Sequence, residues 1–320
     1  MSTTHQPAPQ WSGRVDGDGL EHLRWHQHVS TDATGGLALV GFACDAGVRR
    51  NQGRPGAAEG PGALRAALGP LAVHTPLPLT DFGDVVVTGD DLEAGQAALG
   101  ELVSTAFDQH GLVVVLGGGH ETAWGSYLGR TAAPQLEGKR VGVINLDAHF
   151  DLREADRPSS GTPFRQMALT DEAAGRDFRY LVAGISRASN TKVLFDEAER
   201  LGTTVILDTD CQPRHLDRLL AQLDSFAAEV DVLHLSVDLD LLPAAVAPGV
   251  SAPAGYGVPM EVVDAVCAQL ASSRKLVLVD VVELCPPLDV DGRTARAGAR
   301  LIHTIAEHWR PATDLPGALE

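Results

Sequence analysis

Three side chains that can bind metal ions follow an apolar run in the middle of the sequence. The segment reads VGVINLDAHFDLR, and Asp147, His149 and Asp151 occupy alternate positions directly after the run. In an extended chain, side chains two positions apart point to the same side. Grouping ionisable side chains at the end of a buried strand is costly unless a cation neutralises them. The spacing therefore favours a metal site over the alternative, a solvated polar turn.

Three other apolar runs end in comparable residues. The run VLHLSVDLDLLP places Asp238 and Asp240 on one side of the chain, with His234 deeper in the strand. We expect His234 to be buried and hydrogen-bonded rather than a ligand. The run LVVVLGGGH ends in His120, which either caps a helix or binds the same metal. The run LVLVDVVELCPP places Glu283 where a site residue would lie, but its own surroundings leave its role open.

Together these residues predict a two-metal centre. Oxygen-rich ligation with two imidazoles suits Mn²⁺, although Fe²⁺, Co²⁺ and Zn²⁺ accept similar ligands. Two ions can share bridging aspartates and activate water near neutral pH, which is a hydrolase arrangement. The six predicted ligands are His120, Asp147, His149, Asp151, Asp238 and Asp240.

The elements that must position these residues alternate between short apolar runs and Ala/Leu-rich segments of helical period. The apolar runs are continuous, which is typical of a parallel sheet covered on both faces. We therefore predict an α/β fold with three layers, αβα, and a mostly parallel sheet of about eight strands. In such sheets ligands bind at the carboxyl ends of the strands, where the candidate ligands lie.

The predicted elements leave no convincing linker. The predicted strands are 37–42, 72–75, 112–116, 141–146, 180–185, 204–207, 232–237 and 276–281. The predicted helices are 62–68, 91–107, 122–129, 191–200, 214–226, 260–271 and 294–307. We therefore predict a single domain at 34–310, followed by a tail at 311–320. A polar N-terminal arm at 1–33 precedes the domain and is expected to be either loosely ordered or a cover strand.

Composition argues against several kinds of partner and location. A net charge of −17 disfavours nucleic acid and acidic membranes. No apolar run approaches the roughly 20 residues that span a bilayer, and the N-terminus lacks the pattern of a signal peptide. The four cysteines form no CxxC pair, so we expect them to be reduced. The sequence predicts a soluble cytoplasmic protein that acts on a small molecule.

The motifs resemble those of the ureohydrolase family, which contains arginase, agmatinase and formimidoylglutamase. The family's GG(D/G)H, DAHxD and DxDxxDP-like segments correspond to GGGH (117–120), DAHFD (147–151) and DLDLLP (238–243). The family's EGPxxLR corresponds to EGPGALR (59–65), and Leu242 replaces the third aspartate of DxDxxDP. The resemblance runs from about Gly41 to Leu301. It implies the arginase-like fold, two Mn²⁺ ions per subunit and a homo-oligomer.

The resemblance also implies how the ligands divide between the two ions. One ion would be held by His120, Asp147, Asp151 and Asp238. The other would be held by Asp147, His149, Asp238 and Asp240, so that Asp147 and Asp238 bridge. In the family, the carboxylate at the position of Glu283 holds the cationic end of the substrate.

Several stretches look most like formimidoylglutamases, which convert N-formimidoyl-L-glutamate and water to L-glutamate and formamide in histidine degradation. They include GFACDAGVRRNQGRPGAAEGP (41–61) and SSGTPFRQ (159–166). Phe164 stands where arginases have a proton-shuttle histidine, which disfavours arginase. The alternatives are hydrolysis of agmatine or of a guanidino acid such as guanidinobutyrate, and a non-catalytic, metabolite-binding role.

A substrate with two carboxylates needs cationic contacts, and arginine is suited to bind carboxylates. Arg153 directly follows DAHFD and is the predicted carboxylate contact, with Asn190 adding a hydrogen bond. Asp240 is predicted to relay a proton to the leaving nitrogen, so Asp240 and Glu283 are the predicted catalytic residues. Four other arginines remain open as contacts: Arg49, Arg50, Arg54 and Arg187.

Overall fold

The sheet of the protein is continuous and mostly parallel. A computed structural model of the 320-residue chain describes residues 2–312. Within that range, nine strands form one sheet: β1 Ser2–Gln6, β2 Leu37–Ala43, β3 Leu79–Thr88, β4 Leu112–Leu116, β5 Val141–Leu146, β6 Arg179–Ile185, β7 Thr204–Leu207, β8 Val232–Asp238 and β9 Leu276–Val282. Their order across the sheet is β1-β3-β2-β4-β9-β8-β5-β6-β7. All pairings are parallel except that of β1 with β3.

Helices cover both faces of the sheet. The α-helices of the described residues are α1 Trp25–His28, α2 Ala46–Arg50, α3 Gly60–Leu68, α4 Leu92–Phe107, α5 Thr122–Ala132, α6 Pro163–Ala173, α7 Lys192–Arg200, α8 Leu216–Ala228, α9 Met260–Ser272 and α10 Arg293–His308. Helices α3, α8, α9 and α10 contribute to one apolar core, and α4 to α7 contribute to the cores on the other face. None of the helices in residues 2–312 is long and apolar enough to cross a membrane.

The strands are continuous apolar runs because both of their faces are buried. In β4, Leu112, Val114 and Leu116 pack into one core, whereas Val113 and Val115 pack into the other. Successive side chains of a strand point to opposite faces, so a strand between two helical layers needs apolar residues at every position. The predicted three-layer αβα fold with a mostly parallel sheet is therefore confirmed, with nine strands among the described residues rather than about eight.

Three local predictions were wrong or incomplete. The predicted strand at 72–75 is not a strand, and the chain instead forms β3, which carries Asp81 and Asp84 and so lacks a continuous apolar run. Helix α6 was not predicted, although Pro163 stands at its first turn, where proline is favoured. Part of the predicted N-terminal arm forms β1 at the edge of the sheet. Residues 313–320 of the predicted tail lie outside the described residues.

A buried ion pair joins α3 to the acidic strand β3. Arg65 donates from Nε and Nη2 to the two carboxylate oxygens of Asp81, at 2.8 and 2.9 Å, and from Nη1 to Asp84 at 2.6 Å. The side chain of Arg65 is 4% exposed and that of Asp81 is fully buried. Trp11 of the N-terminal segment also donates to Asp81. Removing Arg65 would leave Asp81 buried without its cation.

We expect Arg65→Leu to lower the free energy of unfolding by about 3–5 kcal/mol, because an uncompensated buried carboxylate is strongly destabilising. The matched control is Arg140→Leu, which removes an exposed bidentate partner of Asp231. That exposed pair contributes about 1 kcal/mol or less. Urea unfolding of both variants tests this, and equal losses would contradict it.

Candidate metal centre

Four adjacent strands at the centre of the sheet supply the candidate site. They lie in the order β4-β9-β8-β5, and residues at or just after their carboxyl ends are His120, Glu283, Asp238, Asp240, Asp147, His149 and Asp151. Strands β4 and β9, which are neighbours in the sheet, are separated in the sequence by four other strands. The sheet order therefore brings the segments together at the end where open parallel sheets bind ligands.

The chain turns sharply after β5 and after β8, and an aspartate side chain holds each turn. Asp147 Oδ1 accepts the backbone N–H of His149 at 2.6 Å, and Asp238 Oδ1 accepts that of Asp240 at 2.7 Å. Aspartate commonly stabilises a turn by bonding the backbone two residues ahead. The prediction that extended alternation aligns these side chains was therefore incomplete: after β8 the chain forms a 3₁₀ turn at Leu239–Leu241.

The glycine-rich loop after β4 fits closely against its neighbours. A Cβ on Gly118 would lie 1.8 Å from the carbonyl oxygen of Cys44, so only glycine is accommodated there. The N–H of Glu283 donates to the carbonyl of Gly118 at 2.7 Å, and the N–H of His120 donates to Glu283 Oε1 at 2.8 Å. These two bonds tie the loop to the end of β9 and place His120 above the sheet.

The first group of candidate ligands surrounds the imidazole of His120. Its Nδ1 lies 3.2 Å from Asp147 Oδ2, 2.9 Å from Asp151 Oδ2 and 3.0 Å from Asp238 Oδ2. These four residues have the composition and spacing of a metal-binding group. Both turn-forming aspartates thus direct the second oxygen, Oδ2, toward His120.

The second group adjoins the first through Asp147. It consists of Asp147, His149 and Asp240, with His149 Nδ1 at 3.0 Å from Asp240 Oδ2 and 3.5 Å from Asp147 Oδ1. Asp147 belongs to both groups, as its predicted bridging role requires. Asp238 belongs to the first group alone, so its predicted bridging role has less geometric support. All six predicted ligands are thus brought together, and their ligation remains a prediction.

Two atoms at the centre show that the donor set suits a metal ion. His120 Nδ1 and Asp240 Oδ1 are buried and have no hydrogen-bond partner among the described residues. Buried polar atoms without partners are rare in folded proteins, and a site for an ion is one recognised explanation. An imidazole nitrogen amid carboxylate oxygens matches the ligand preference of Mn²⁺ and related divalent ions.

The shifted pKa values of the buried carboxylates also indicate a site for a cation. Burial raises the pKa of Asp238 well above its usual value, and the charges of Asp240 and Asp147 raise it further. Burial raises the pKa of Glu283 to about 8, with Glu121 and Asp240 adding to the effect. The charge of Asp240 raises the pKa of His149 to about 12. Without metal, protons must neutralise part of this site, and cations can take their place.

A cavity of about 520 Å³ opens over the candidate ligands. Its lining includes His149, Asp151, Asp238, Asp240, Glu283, Arg54 and Arg153. The cavity therefore combines an acidic floor with arginines at its rim. Its size lies within the usual range for pockets that bind small molecules.

Among the predicted substrate contacts, Asn190 does not line this cavity. Its Oδ1 accepts the N–H of Phe150, and its Nδ2 donates to the carbonyls of Ala148 and Ser186. The amide is thus used to hold the loop after β5. In this structure the side chain of Asn190 positions that loop, and its contact with substrate stays a prediction.

The five candidate arginines differ in the partners that their side chains already contact. Arg49 pairs with Asp45, and Arg50 pairs with Asp90 and Glu93. Arg54 donates to backbone carbonyls of Val250 and Ser251, while Arg187 stacks on the ring of Phe195. Arg153 lines the cavity, is exposed, and forms no ion pair with another described residue. Arg153 is therefore the arginine best placed to bind a substrate carboxylate.

Sequence reasoning missed one residue near the site and described another correctly. Asp280, inside β9, is fully buried and accepts from His234 Nε2 at 2.7 Å. The one available signal was an aspartate within the apolar run LVLVDVV. His234 is fully buried and hydrogen-bonded, as predicted, and it lies outside both metal-binding groups. Phe164, in the place of the arginase histidine, packs edge-on against His120.

Comparisons with known proteins agree on a family. A family model described as the arginase family matches residues 36–307. A formimidoylglutamase of Nocardia farcinica is 52% identical over 311 residues, covering 96% of this chain and 98% of the relative. A formimidoylglutamase of Rhodococcus jostii is 51% identical over 304 residues, covering 93% and 95%.

Solved structures show the same architecture. A crystal structure of Trypanosoma cruzi formiminoglutamase with Mn²⁺ matches with a TM-score of 0.75 and 26% identity, covering 84% of this chain and 92% of that one. The formimidoylglutamase of Bacillus subtilis matches with a TM-score of 0.78 over 95% of both chains. At 22% identity, the second likeness bears on the fold alone.

We expect Mn²⁺ to raise the melting temperature and EDTA to lower it, because an ion that binds only the folded state stabilises that state. At 100 times its Kd the gain is about 2.7 kcal/mol. Asp147→Asn, which alters the ligand shared by both groups, should abolish most of the response.

The control is Asp208→Asn, at a buried carboxylate that follows β7 and lies outside both groups. This variant should respond to Mn²⁺ as the wild type does. Calorimetric scans in EDTA and in Mn²⁺ provide the measurement. A melting temperature independent of Mn²⁺ would argue against the centre.

Proposed function

The chain belongs to the arginase family, and we propose that it hydrolyses N-formimidoyl-L-glutamate to L-glutamate and formamide in histidine degradation. One geometric observation carries the proposal: the cavity that is lined by the candidate metal ligands and Glu283 is also lined by Arg153, which forms no ion pair among residues 2–312. That arrangement fits a substrate with an amidine at one end and carboxylates at the other. Relatives about 50% identical over most of the chain bear the name of this activity.

Manganese is the proposed metal, with two ions per subunit. The donor set of carboxylates and imidazoles supports it, as does the Mn²⁺ in the structure of the Trypanosoma cruzi relative. When bound, such a pair of ions supplies an activated water as the nucleophile and polarises the carbon that it attacks. The six side chains of the two groups would hold the ions: His120, Asp147, His149, Asp151, Asp238 and Asp240.

Glu283 is positioned to receive the formimidoyl group. Its Oε1 accepts the N–H of His120, and its Oε2 bonds to no other described residue. The φ angle of Glu283 is 67°, in the left-handed region, so the backbone is strained at this position. Such strain often accompanies a functional requirement, here the placing of the carboxylate over the cavity. A cationic formimidoyl nitrogen would stabilise the ionised form of Glu283, which burial disfavours.

Arg153 supplies the opposite end of the proposed binding site. Its backbone N–H donates to the carbonyl of Gly161 at 2.9 Å, which fixes the chain next to the cavity. A Cβ on Gly161 would lie 2.8 Å from Cδ of Arg153, so glycine leaves room for the arginine stem. The guanidinium is therefore free to form a bidentate contact with a substrate carboxylate.

Asp240 is the proposed proton carrier for the leaving nitrogen. Its Oδ2 lies near His149, whereas its Oδ1 is without a partner among the described residues. A proton held on Asp240 could pass to the nitrogen as the carbon–nitrogen bond breaks. Phe164, in place of a shuttle histidine, cannot carry a proton, so the proposed route uses this carboxylate instead.

We expect Arg153→Leu to lower kcat/KM for formimidoylglutamate by about 10- to 100-fold, mainly through KM, since hydrogen bonds to charged groups contribute about 1.5–3 kcal/mol. The control is Arg157→Leu, at an exposed arginine that pairs with Asp90 and does not line the cavity. That variant should keep wild-type kinetics. The assay follows glutamate and formamide, and release of urea from guanidinobutyrate without formamide from formimidoylglutamate would refute the assignment.

We expect Asp240→Asn to lower kcat by about 10²- to 10⁴-fold, the usual contribution of a general acid–base group. Metal content, measured on the same samples by elemental analysis and anomalous diffraction, separates a lost proton carrier from a lost ligand. Full turnover with both metals retained would exclude the proton relay.

A further inference from the structure

A line of buried hydrogen bonds leads from the candidate metal centre into the core. His120 Nε2 lies 3.0 Å from Ser236 Oγ, on the side of the ring opposite to the carboxylates. Ser236 Oγ in turn lies 3.4 Å from Asp280 Oδ2. Ser236 and Asp280 are fully buried and face each other across the β8–β9 pairing.

Asp280 is surrounded by groups that donate hydrogen bonds. His234 Nε2 lies 2.7 Å from its Oδ2, and Ser126 of α5 donates to its Oδ1 at 2.5 Å. None of the described arginines or lysines forms an ion pair with it. A carboxylate oxygen accepts hydrogen bonds, and the bond between Ser236 and Asp280 runs from the serine hydroxyl to Oδ2. The hydroxyl of Ser236 therefore directs its hydrogen toward Asp280 and leaves its lone pairs toward His120.

The direction of that hydroxyl determines which imidazole nitrogen carries the proton. A serine oxygen whose hydrogen is engaged by a carboxylate can only accept from His120, so Nε2 must carry the hydrogen. Nδ1 then has the free lone pair, and Nδ1 is the atom amid Asp147, Asp151 and Asp238. If the hydroxyl turned toward His120, Nδ1 would carry the hydrogen and could not bind a metal.

We propose that Asp280, acting through the hydroxyl of Ser236, is a positioning residue that fixes His120 in the tautomer able to bind metal through Nδ1. Ligating histidines are commonly oriented by an acceptor on their second nitrogen, and removal of that acceptor weakens metal binding. Here the acceptor is the hydroxyl oxygen of Ser236. The carboxylate of Asp280 determines the direction in which that hydroxyl points its hydrogen. The proposal rests on the metal centre proposed above and is independent of the substrate.

Stability alone gives a poor reason for a carboxylate at this position. Strands β8 and β9 are already joined by their backbone ladder, and a well-packed apolar residue would avoid the cost of burying a charge. The bonds from His234 and Ser126 satisfy part of the carboxylate, and the proposed requirement at His120 gives a reason for its presence that stability does not.

The test is a titration of the metal-depleted full chain with Mn²⁺, following free Mn²⁺ by electron paramagnetic resonance. Ser236→Ala removes the acceptor. Asp280→Asn keeps the size but introduces an amide N–H that can donate to Ser236 and turn its hydroxyl. We expect each variant to weaken one of the two Mn²⁺ sites by about 10- to 100-fold. Activity should recover at high Mn²⁺, because the reacting groups are unchanged.

The matched control is Ser126→Ala, which removes a hydroxyl from the other oxygen of Asp280 and leaves the bond between Ser236 and His120 in place. It should bind Mn²⁺ as the wild type does, even if it unfolds more easily. Urea unfolding of each metal-free variant establishes that folded protein is being titrated. If Ser236→Ala does not fold, Asp280→Asn decides the question.

The Mn²⁺ titrations distinguish failure of this proposal from failure of the proposed metal centre. Wild-type Mn²⁺ affinity in Ser236→Ala or in Asp280→Asn would overturn the proposal, as would an equal weakening in Ser126→Ala. A wild-type protein that takes up no Mn²⁺ would instead count against the metal centre itself. Loss of one site in the first two variants alone would establish the positioning role.

Discussion

The site depends on Asp147 and Asp238, because the two carboxylate oxygens of each residue contact different partners. In each residue Oδ1 closes a turn by accepting the N–H two residues ahead, and Oδ2 is left to face His120. The turn and the candidate metal contact are therefore made by the same carboxylate. A change at either residue would disturb the course of the chain and the charge of the site together.

The concentration of negative charge explains much of what surrounds these turns. Carboxylates repel one another in a place with little water, so burial and mutual repulsion raise the pKa of Asp238 and of Glu283. Backbone N–H groups that donate to Asp147, Asp238 and Glu283 offset part of this repulsion. Bound cations would offset the remaining electrostatic cost. Asp151 and Glu283 also have positive φ angles, 48° and 67°, which add a conformational cost at the site.

The cavity combines two kinds of recognition, because its lining includes Glu283, the candidate metal ligands and Arg153. Arginines close by in sequence are held by ion pairs or backbone carbonyls. Arg153 forms no ion pair with another described residue, so it carries the proposed contact with a substrate carboxylate.

The sequence by itself determined the fold class, because a strand buried on both faces must be apolar at every position, as β4 is. The predicted bounds of β4, β5 and β7 match the structure. The sequence also indicated the types and spacing of the candidate ligands. It could not give the sheet order β4-β9-β8-β5, since pairing between distant strands leaves no local periodicity. Only the tertiary structure decided that Asn190 holds a loop, that Arg153 lines the cavity and that Asp280 is linked to His120 through Ser236. Those roles depend on which side chains meet across the fold, and residue type alone does not specify such meetings.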